Sequence, residues 1–302
     1  MKMNYISFNP DSVILVRKGL SDSAIRNLFI IPAILFLILF NVFPLFYSLL
    51  ISFTDYSVTG TKSPVWVGLK NYRDILNDPD IWQNFSLTGK YVLITVSGQL
   101  VVGFGIALML NRQFRGKGIV TTLLLLPMMM SMAVVGLFWK LLWDTKLGII
   151  NYLIGLKGFV WLSSGDWALI AVAITDIWMW SPFVMLLGLA GLSAIPQHLY
   201  EAASIDRASR WFTFRRITLP LVAPLLLIAV IFRTMEAFKT FDLAYNMTGG
   251  GTNTELVSIK LYNLAFIQWN TSKSCALAYI MLIMVIAISN IYIKYLNKVR
   301  ER

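Results

Sequence analysis

One cysteine, one histidine and little charge limit what this 302-residue chain can be. Cys275 alone provides neither a disulfide framework nor a cysteine-based zinc site, and it reads as a small buried apolar residue. His198 cannot form a His-Glu-x-x-His pair, and no Gly-x-Ser-x-Gly elbow supplies a nucleophilic serine. Gly89-Lys90 and Gly116-Lys117 lack both the earlier glycine and the following hydroxyl residue of a phosphate loop. Catalysis is therefore not expected, no cofactor is expected in this chain, and any ATP that drives it must be held by another subunit. The run Met128, Met129, Met130 and Met132 reads as apolar filler rather than as a soft-metal site.

Charged residues make up only 14% of the chain and apolar residues 57%, with a mean hydropathy of +0.69. Soluble domains carry about 25% charged residues, so this chain needs an apolar solvent. Uncharged runs at 28–51, 91–110 and 119–139 are each long enough, at about 1.5 Å per helical residue, to cross a hydrocarbon layer of about 30 Å. A fourth span covers 167–191 with the single charge Asp176. A fifth begins near Ile217 and carries Arg233, Glu236, Lys239 and Asp242 in its second half, and a sixth covers 275–293. Backbone amides in lipid must be satisfied internally, so the expected class is all-α, with six spans in one bundle.

Lys and Arg exceed Asp and Glu by 26 to 15, yet they gather at span ends rather than on one solvated face. No nucleic-acid partner is expected. Fifteen fall in the 73 residues of segments 1–27, 111–118, 191–219 and 294–302, against seven in the 86 residues of 54–86, 144–167 and 245–273. The first set should be cytoplasmic, together with both termini, and residues 1–27 form a cytoplasmic segment ahead of a membrane domain at 28–302. No small-residue cleavage site follows the first apolar run, which is read as a retained span. Pro32, Pro44, Pro127, Pro182 and Pro224 lie inside spans and should kink them. Tryptophans 139, 143, 161, 167 and 269 fall near span ends, as an interfacial belt would place them.

The loop between the fourth and fifth spans, 193–220, contains Glu201-Ala-Ala-Ser-Ile-Asp206-Arg-Ala208-Ser-Arg-Trp211 and closes on Ile217-Thr-Leu219-Pro220. It reads as a short helix on the membrane surface, with Pro196 in its first turn and Leu199, Ala203, Ala208, Trp211 and Phe212 offering apolar contact. The loop resembles the Glu-Ala-Ala-x3-Gly-x9-Ile-x-Leu-Pro segment of the inner-membrane permeases of binding-protein-dependent ABC importers. Glu201, Ala202, Ala203, Ile217, Leu219 and Pro220 match in register, while Arg207 stands where the family usually has glycine. Glycine accepts a positive φ readily and arginine does not, so the resemblance leaves the local backbone open.

Further pieces are similar to the carbohydrate-uptake branch, of maltose and glycerol-phosphate permease type. They are Val67-Gly-Leu-Lys-Asn71-Tyr72, Trp139 leading to Gly148 and Asn151, Leu189-Ala-Gly-Leu192 with Ile195-Pro196, Ala237-Phe-Lys-Thr-Phe241-Asp242 and Thr248-Gly-Gly-Gly251. The resemblance implies a permease subunit of the bacterial inner membrane. Its implied partners are a second homologous permease, two ATPase subunits holding ATP and magnesium, an external binding protein and a sugar-like substrate. It makes Glu201, Ala202, Ala203, Asp206, Arg207, Ala208 and Trp211 the coupling site for the ATPase, and the Gly249–Gly251 stretch a loop touching the binding protein.

Intramembrane charge is expensive and should face the bundle interior, a watery path or another charge. Arg233, Glu236 and Lys239 recur every three residues, a spacing that allows two opposite-charge contacts along one helix face. Two readings stay open: a self-paired network that stabilises the bundle, or a substrate path of Asp176, Trp178, Trp180, Glu236, Lys239, Asp242 and Asn246, which offers hydrogen bonds and flat aromatic faces. A self-sufficient ion-coupled transporter using Asp176 and the fifth-span charges is the alternative function, and it would not need the loop match.

The charge asymmetry makes a direct prediction. In a Cys275→Ser background, single cysteines at positions 70 and 260 should react with an impermeant thiol reagent from outside and one at position 115 should not; the reverse pattern would invert the topology.

Overall fold

The computed structural model describes residues 21–60, 63–156, 158–251 and 253–300. Most of the expected N-terminal cytoplasmic segment lies outside them. The chain divides into two compact units, 1–50 and 51–302.

The first unit holds α1 (Asp22–Leu37) and the opening turns of α2 (Phe43–Ser52), joined by a π-helical turn at Ile38–Val42. The turn closes on a hydrogen bond from the Phe43 N–H to the Ile38 carbonyl, one residue before Pro44. Proline has no N–H for an ordinary helical bond, and the widened turn absorbs that loss without breaking the span.

In the second unit, β1 (Thr54–Asp55) and β2 (Val65–Trp66) pair antiparallel, Thr54 opposite Trp66. The helices α3 (Lys70–Leu76), α4 (Pro79–Leu110), α5 (Lys117–Leu125), α6 (Met132–Leu142) and α7 (Ile149–Ile154) follow. The second half of the chain contains α8 (Asp166–Ser193), α9 (Gln197–Ile205), α10 (Arg210–Thr213), α11 (Leu219–Phe238), α12 (Asp242–Thr248), α13 (Val257–Tyr262) and α14 (Thr271–Arg300). Among the described residues five helices are long and apolar enough to cross a membrane, at Arg26–Ser52, Pro79–Leu110, Asp166–Ser193, Arg210–Phe238 and Thr271–Lys298. The apolar pair α5 and α6, bent by 97° at its junction, makes a sixth only when the two helices are counted together as one broken span. Among the described residues the fold is all-α apart from one two-residue strand pair.

That bend corrects the expectation of a continuous third span. Pro127 sits in a tight 3₁₀ turn at Leu126–Met129, and Met130 and Ser131 are extended before α6 begins. Pro32, Pro182 and Pro224 lie within continuous helices. A second π-helical turn, Phe214–Thr218, precedes Pro220 by the same device as the one before Pro44.

The core of the second unit is the pairing of α4 with α8. Gly98 meets Ile177, and a Cβ on Gly103 would come within 2.4 Å of the Ser181 carbonyl oxygen, so the backbones touch where only glycine fits. Asp78 caps α4, accepting from the Asp80 N–H at 3.1 Å, and Pro79 occupies the first turn. Burial works against the charge on Asp78, but the hydrogen bond and charge of Lys273, 3.3 Å away on α14, hold its carboxyl below the ordinary value. The tryptophan belt needs a correction: Trp143 and Trp161 are buried, their indole N–H groups donating to Thr175 Oγ1 at 3.3 Å and Asn151 Oδ1 at 2.6 Å. Membrane-end position alone did not distinguish a lipid-facing indole from one packed under a loop. Two of the short matched pieces also prove to be local pins. Asn71 Nδ2 donates to the Ser52 and Thr54 carbonyls, and Asn151 Nδ2 donates to Phe159.

The loop between the fourth and fifth spans is not one helix through Trp211. The helix α9 stops at Ile205, and Ser209 caps a separate turn, α10, by accepting from the Phe212 N–H at 3.2 Å. Between them Arg207 has φ +53°. The Ala208 N–H donates to Ala203 O at 2.9 Å and the Arg207 N–H to Ser204 O at 3.1 Å, the two bonds of a Schellman stop with Arg207 in the left-handed position. This closes the question left by the missing glycine: the glycine-like conformation is kept, at a cost of about 1–2 kcal/mol for an L side chain. Arg207→Gly should therefore raise the thermal stability of the solubilised chain by an amount equivalent to about 1 kcal/mol, read by heating and size-exclusion recovery; an unchanged or lowered midpoint would show that the backbone is not strained there.

Candidate functional site

Two groups of residues stand out, the loop helix and a set of polar side chains inside the bundle. In α9, Ala203 is buried against the chain's own body, and the Tyr200 hydroxyl lies 3.1 Å from Thr218 Oγ1 at the foot of α11. Glu201, Ala202, Ile205 and Asp206 are exposed, Ile205 at 81%. The outward face thus combines small and apolar groups with two carboxylates that form no ion pair among the described residues. Of the two matched alanines only Ala202 is open to a partner. Arg207 is exposed at the left-handed stop, Ala208 is half-buried, and Trp211 is exposed on α10, stacked on Phe214 at 5.7 Å.

The charged fifth span splits into two arrangements. Arg233 turns across to α8, where its Nη2 lies 3.1 Å from Asp176 Oδ1, and to α4, where its Nε donates to Gln99 Oε1 at 2.9 Å. Gln99 Nε2 donates to Asp176 Oδ1 at 3.1 Å, and the Tyr91 hydroxyl donates to Asp176 Oδ2. The guanidinium is covered by Trp180, 4.3 Å from the ring centre. All four hydrogen-bonding side chains are buried. This network links three spans, with Asp176 buried at its centre and Trp180 over the guanidinium. Gln99 and Tyr91 carry no formal charge and so did not stand out in the sequence; an amide in the middle of an apolar run was the available signal.

Only one of the two contacts expected along α11 forms as an intrahelical pair: Lys239 Nζ lies 3.0 Å from Glu236 Oε1, both side chains about half exposed. Lys239 also borders a cavity of about 490 Å³ between α11 and α14, otherwise lined mainly by apolar residues such as Met281 and Val285. Asp242 is exposed at the start of α12, and its carbonyl accepts from Asn246 Nδ2 at 2.7 Å. Trp178, packed edge-on to Trp139 at 5.4 Å, lines a different cavity of about 380 Å³, bounded by Pro127 and Met130 at the bend and by Ser181. The seven path candidates are therefore spread over the buried network, the end of α11 with the start of α12, and the cavity at the broken span.

The chain thus presents a surface helix with an acidic outward face between two membrane-spanning segments, and comparison with known proteins says what such a chain is. Residues 99–301 match the family described as binding-protein-dependent transport system inner membrane component. The chain belongs to this family. It is 34% identical over 285 residues to a sulfoquinovosyl glycerol transport system permease protein of Agrobacterium fabrum, covering 92% of each chain. It is also 34% identical to a trehalose/maltose transport system permease protein of Thermococcus litoralis, covering 90% of this chain and 94% of that one. Its fold is that of a chain in a bacterial ABC transporter involved in the import of the acidic polysaccharide alginate, with a TM-score of 0.79, 19% identity and coverage of 91% and 95%. As an inner-membrane permease subunit the chain is multi-pass and non-catalytic, and membership displaces the ion-coupled alternative.

The network sets a clear energetic contrast. Asp176→Asn strips the buried Arg233 of its counter-charge and should cost about 3–5 kcal/mol, whereas Glu236→Gln, at a half-exposed pair, should cost less than about 1 kcal/mol. Thermal midpoints of the two solubilised variants measure both, and equal losses would remove the network's structural role.

Proposed function

We propose that this permease is one of two homologous membrane halves of an ATP-driven importer, taking up a sugar, oligosaccharide or related polyol delivered by an external binding protein. Two ATPase subunits would hold ATP and magnesium, and both termini and α9 would face them on the cytoplasmic side. The observation that carries the substrate class is the 34% identity over about nine-tenths of the chain to permeases whose names give sugar-derived solutes.

In this reading α9 is the coupling helix. Its exposed Glu201, with Ala202 and Ile205 beside it, meets a basic group in a cleft of the ATPase, while buried Ala203 and the Tyr200–Thr218 contact hold the lever to the span that starts next to it. Nucleotide biases the inward- and outward-open arrangements only through differential binding to them. Trp178, beside the cavity at the broken span, supplies an aromatic face for a sugar ring, and Glu236, Lys239, Asp242 and Asn246 supply polar contacts nearer the outer end.

The test is uptake of labelled maltose or trehalose into vesicles holding the assembled transporter, with ATP supply and ion gradients varied separately. Uptake should require ATP and the binding protein, and an ion gradient alone should not support it. Glu201→Lys should leave the bundle inserted yet abolish binding-protein-stimulated ATP hydrolysis and uptake, since a like-charge contact at an interface costs several kcal/mol. Normal stimulation and uptake in that variant would remove Glu201 from the coupling site.

A further inference from the structure

The surface helix α9 is nine residues long, and its burial follows the helical period of about 3.6 residues per turn. Leu199 and Tyr200 are half-buried and Ala203 is buried, so this side faces the body. The opposite side carries His198, Glu201, Ala202 and Ile205, all exposed. His198 precedes Glu201 by three residues, Ala202 by four and Ile205 by seven, so the four side chains form one stripe two turns long. His198 is the chain's only histidine, and the matched Glu-Ala-Ala motif does not include it.

Among the described residues the imidazole of His198 forms no ion pair. Glu201 stands beside it on the same stripe. The other charged groups on the segments joined to α9 are Asp206, Arg207, Arg210, Arg215 and Arg216, all exposed, and none of them pairs with it. The start of the helix is lightly fastened: Pro196 at its N-cap supplies no side-chain hydrogen bond, and the Leu199 N–H donates to the Pro196 carbonyl at 3.2 Å. His198 lies in this first turn, where the helix dipole disfavours a cation.

Histidine is the side chain whose charge changes between about pH 5 and pH 8. A neutral imidazole donates one hydrogen bond, accepts another and adds no charge to the stripe, whereas an imidazolium only donates. A proton gained here acts in three ways, all of one sign. It sets a positive charge on the face whose Glu201, as the coupling residue, meets a basic group of the ATPase. It gives the Glu201 carboxylate a partner three residues away on its own helix, in competition with that group. It also opposes the dipole in a first turn that has no side-chain cap.

We infer that His198 is a docking residue of α9 that must be neutral for the ATPase to seat, so that acidification on the cytoplasmic side uncouples the importer. The inference rests on the coupling-helix reading and adds to it a contact residue and a control by pH.

The experiment uses the assembled transporter in vesicles with its ATPase subunits facing the bath, and measures binding-protein-stimulated ATP hydrolysis at about pH 8 and about pH 6, across the range in which histidine changes charge. Retention of the ATPase subunits on the tagged permease after washing, at each pH, reads docking apart from hydrolysis. His198→Gln keeps a donor and an acceptor but cannot ionise, so comparison with it removes the pH dependence that belongs to the other subunits. On acidification the unsubstituted transporter should lose severalfold more of its stimulated rate and of its retained ATPase than His198→Gln does. His198→Lys, with a fixed charge, should dock poorly at both pH values. Equal losses in the unsubstituted transporter and His198→Gln, or full docking of His198→Lys, would overturn the inference. Glu201→Lys tests the coupling reading separately: if that variant is uncoupled while the two pH responses are equal, His198 alone is removed from the docking face. If Glu201→Lys couples normally, the reading and the inference fall together.

Discussion

A carboxylate and a guanidinium buried among membrane spans have no water to fall back on, and the rest of the second unit is arranged around that constraint. Asp176 on α8 and Arg233 on α11 answer each other's charge, Gln99 on α4 bonds to both, and the Tyr91 hydroxyl takes the remaining carboxylate oxygen. Coulomb attraction alone does not make such a pair stabilising, because removing two ions from water is as costly as their attraction is favourable. The value lies in specification: any slip of one of the three helices along another would leave a buried charge unanswered. The close approach of α4 and α8 at Gly98 and Gly103 brings these groups within reach of each other.

From Arg233 the same helix runs back toward the loop. The π-helical turn Phe214–Thr218 leads into α11, and Thr218 at its end meets Tyr200 of α9. The surface helix is thus joined side chain to side chain with the span that carries the buried cation, and Ala203 seats it on the body. Arg207 in the left-handed position ends α9 at Ile205, so the helix is only nine residues long. The broken third span works differently: its bend at Pro127–Ser131 leaves space instead of filling it, and Trp178 borders that space.

A second polar group, around Asn84 near the start of α4, is the counterpart of the central network. Both are built from an amide bonded to a carboxyl-bearing residue, but every carboxylate oxygen of the central one has a partner, whereas in the outer one the buried Asn84 Oδ1 has no donor among the described residues. A closed polar set holds helices together, and an incomplete one is costly in a low-dielectric interior.

The sequence by itself determined the solvent, the all-α class, the place of five long apolar helices and the surface helix between the fourth and fifth spans, because hydropathy, length and motif register are local properties; it started α4 at 91 rather than Pro79, because the polar and charged first turns of that helix lie outside the uncharged run. It showed that the fifth-span charges must be answered, yet not by whom: three-residue spacing pointed Arg233 at Glu236, and only packing brought α8 and α4 close enough for Asp176 and Gln99 to take it. It marked Arg207 as a departure without showing that the hydrogen bonds of the helix stop would hold an arginine in a glycine's conformation. The bend at Pro127 was invisible because proline is tolerated in many membrane helices, Pro32 and Pro182 among them, and whether it breaks one depends on what neighbouring helices can satisfy. The surroundings of Asn84 belonged to tertiary structure entirely, since its amide nitrogen is claimed by a residue 171 positions away and its buried oxygen is left without a donor among the described residues.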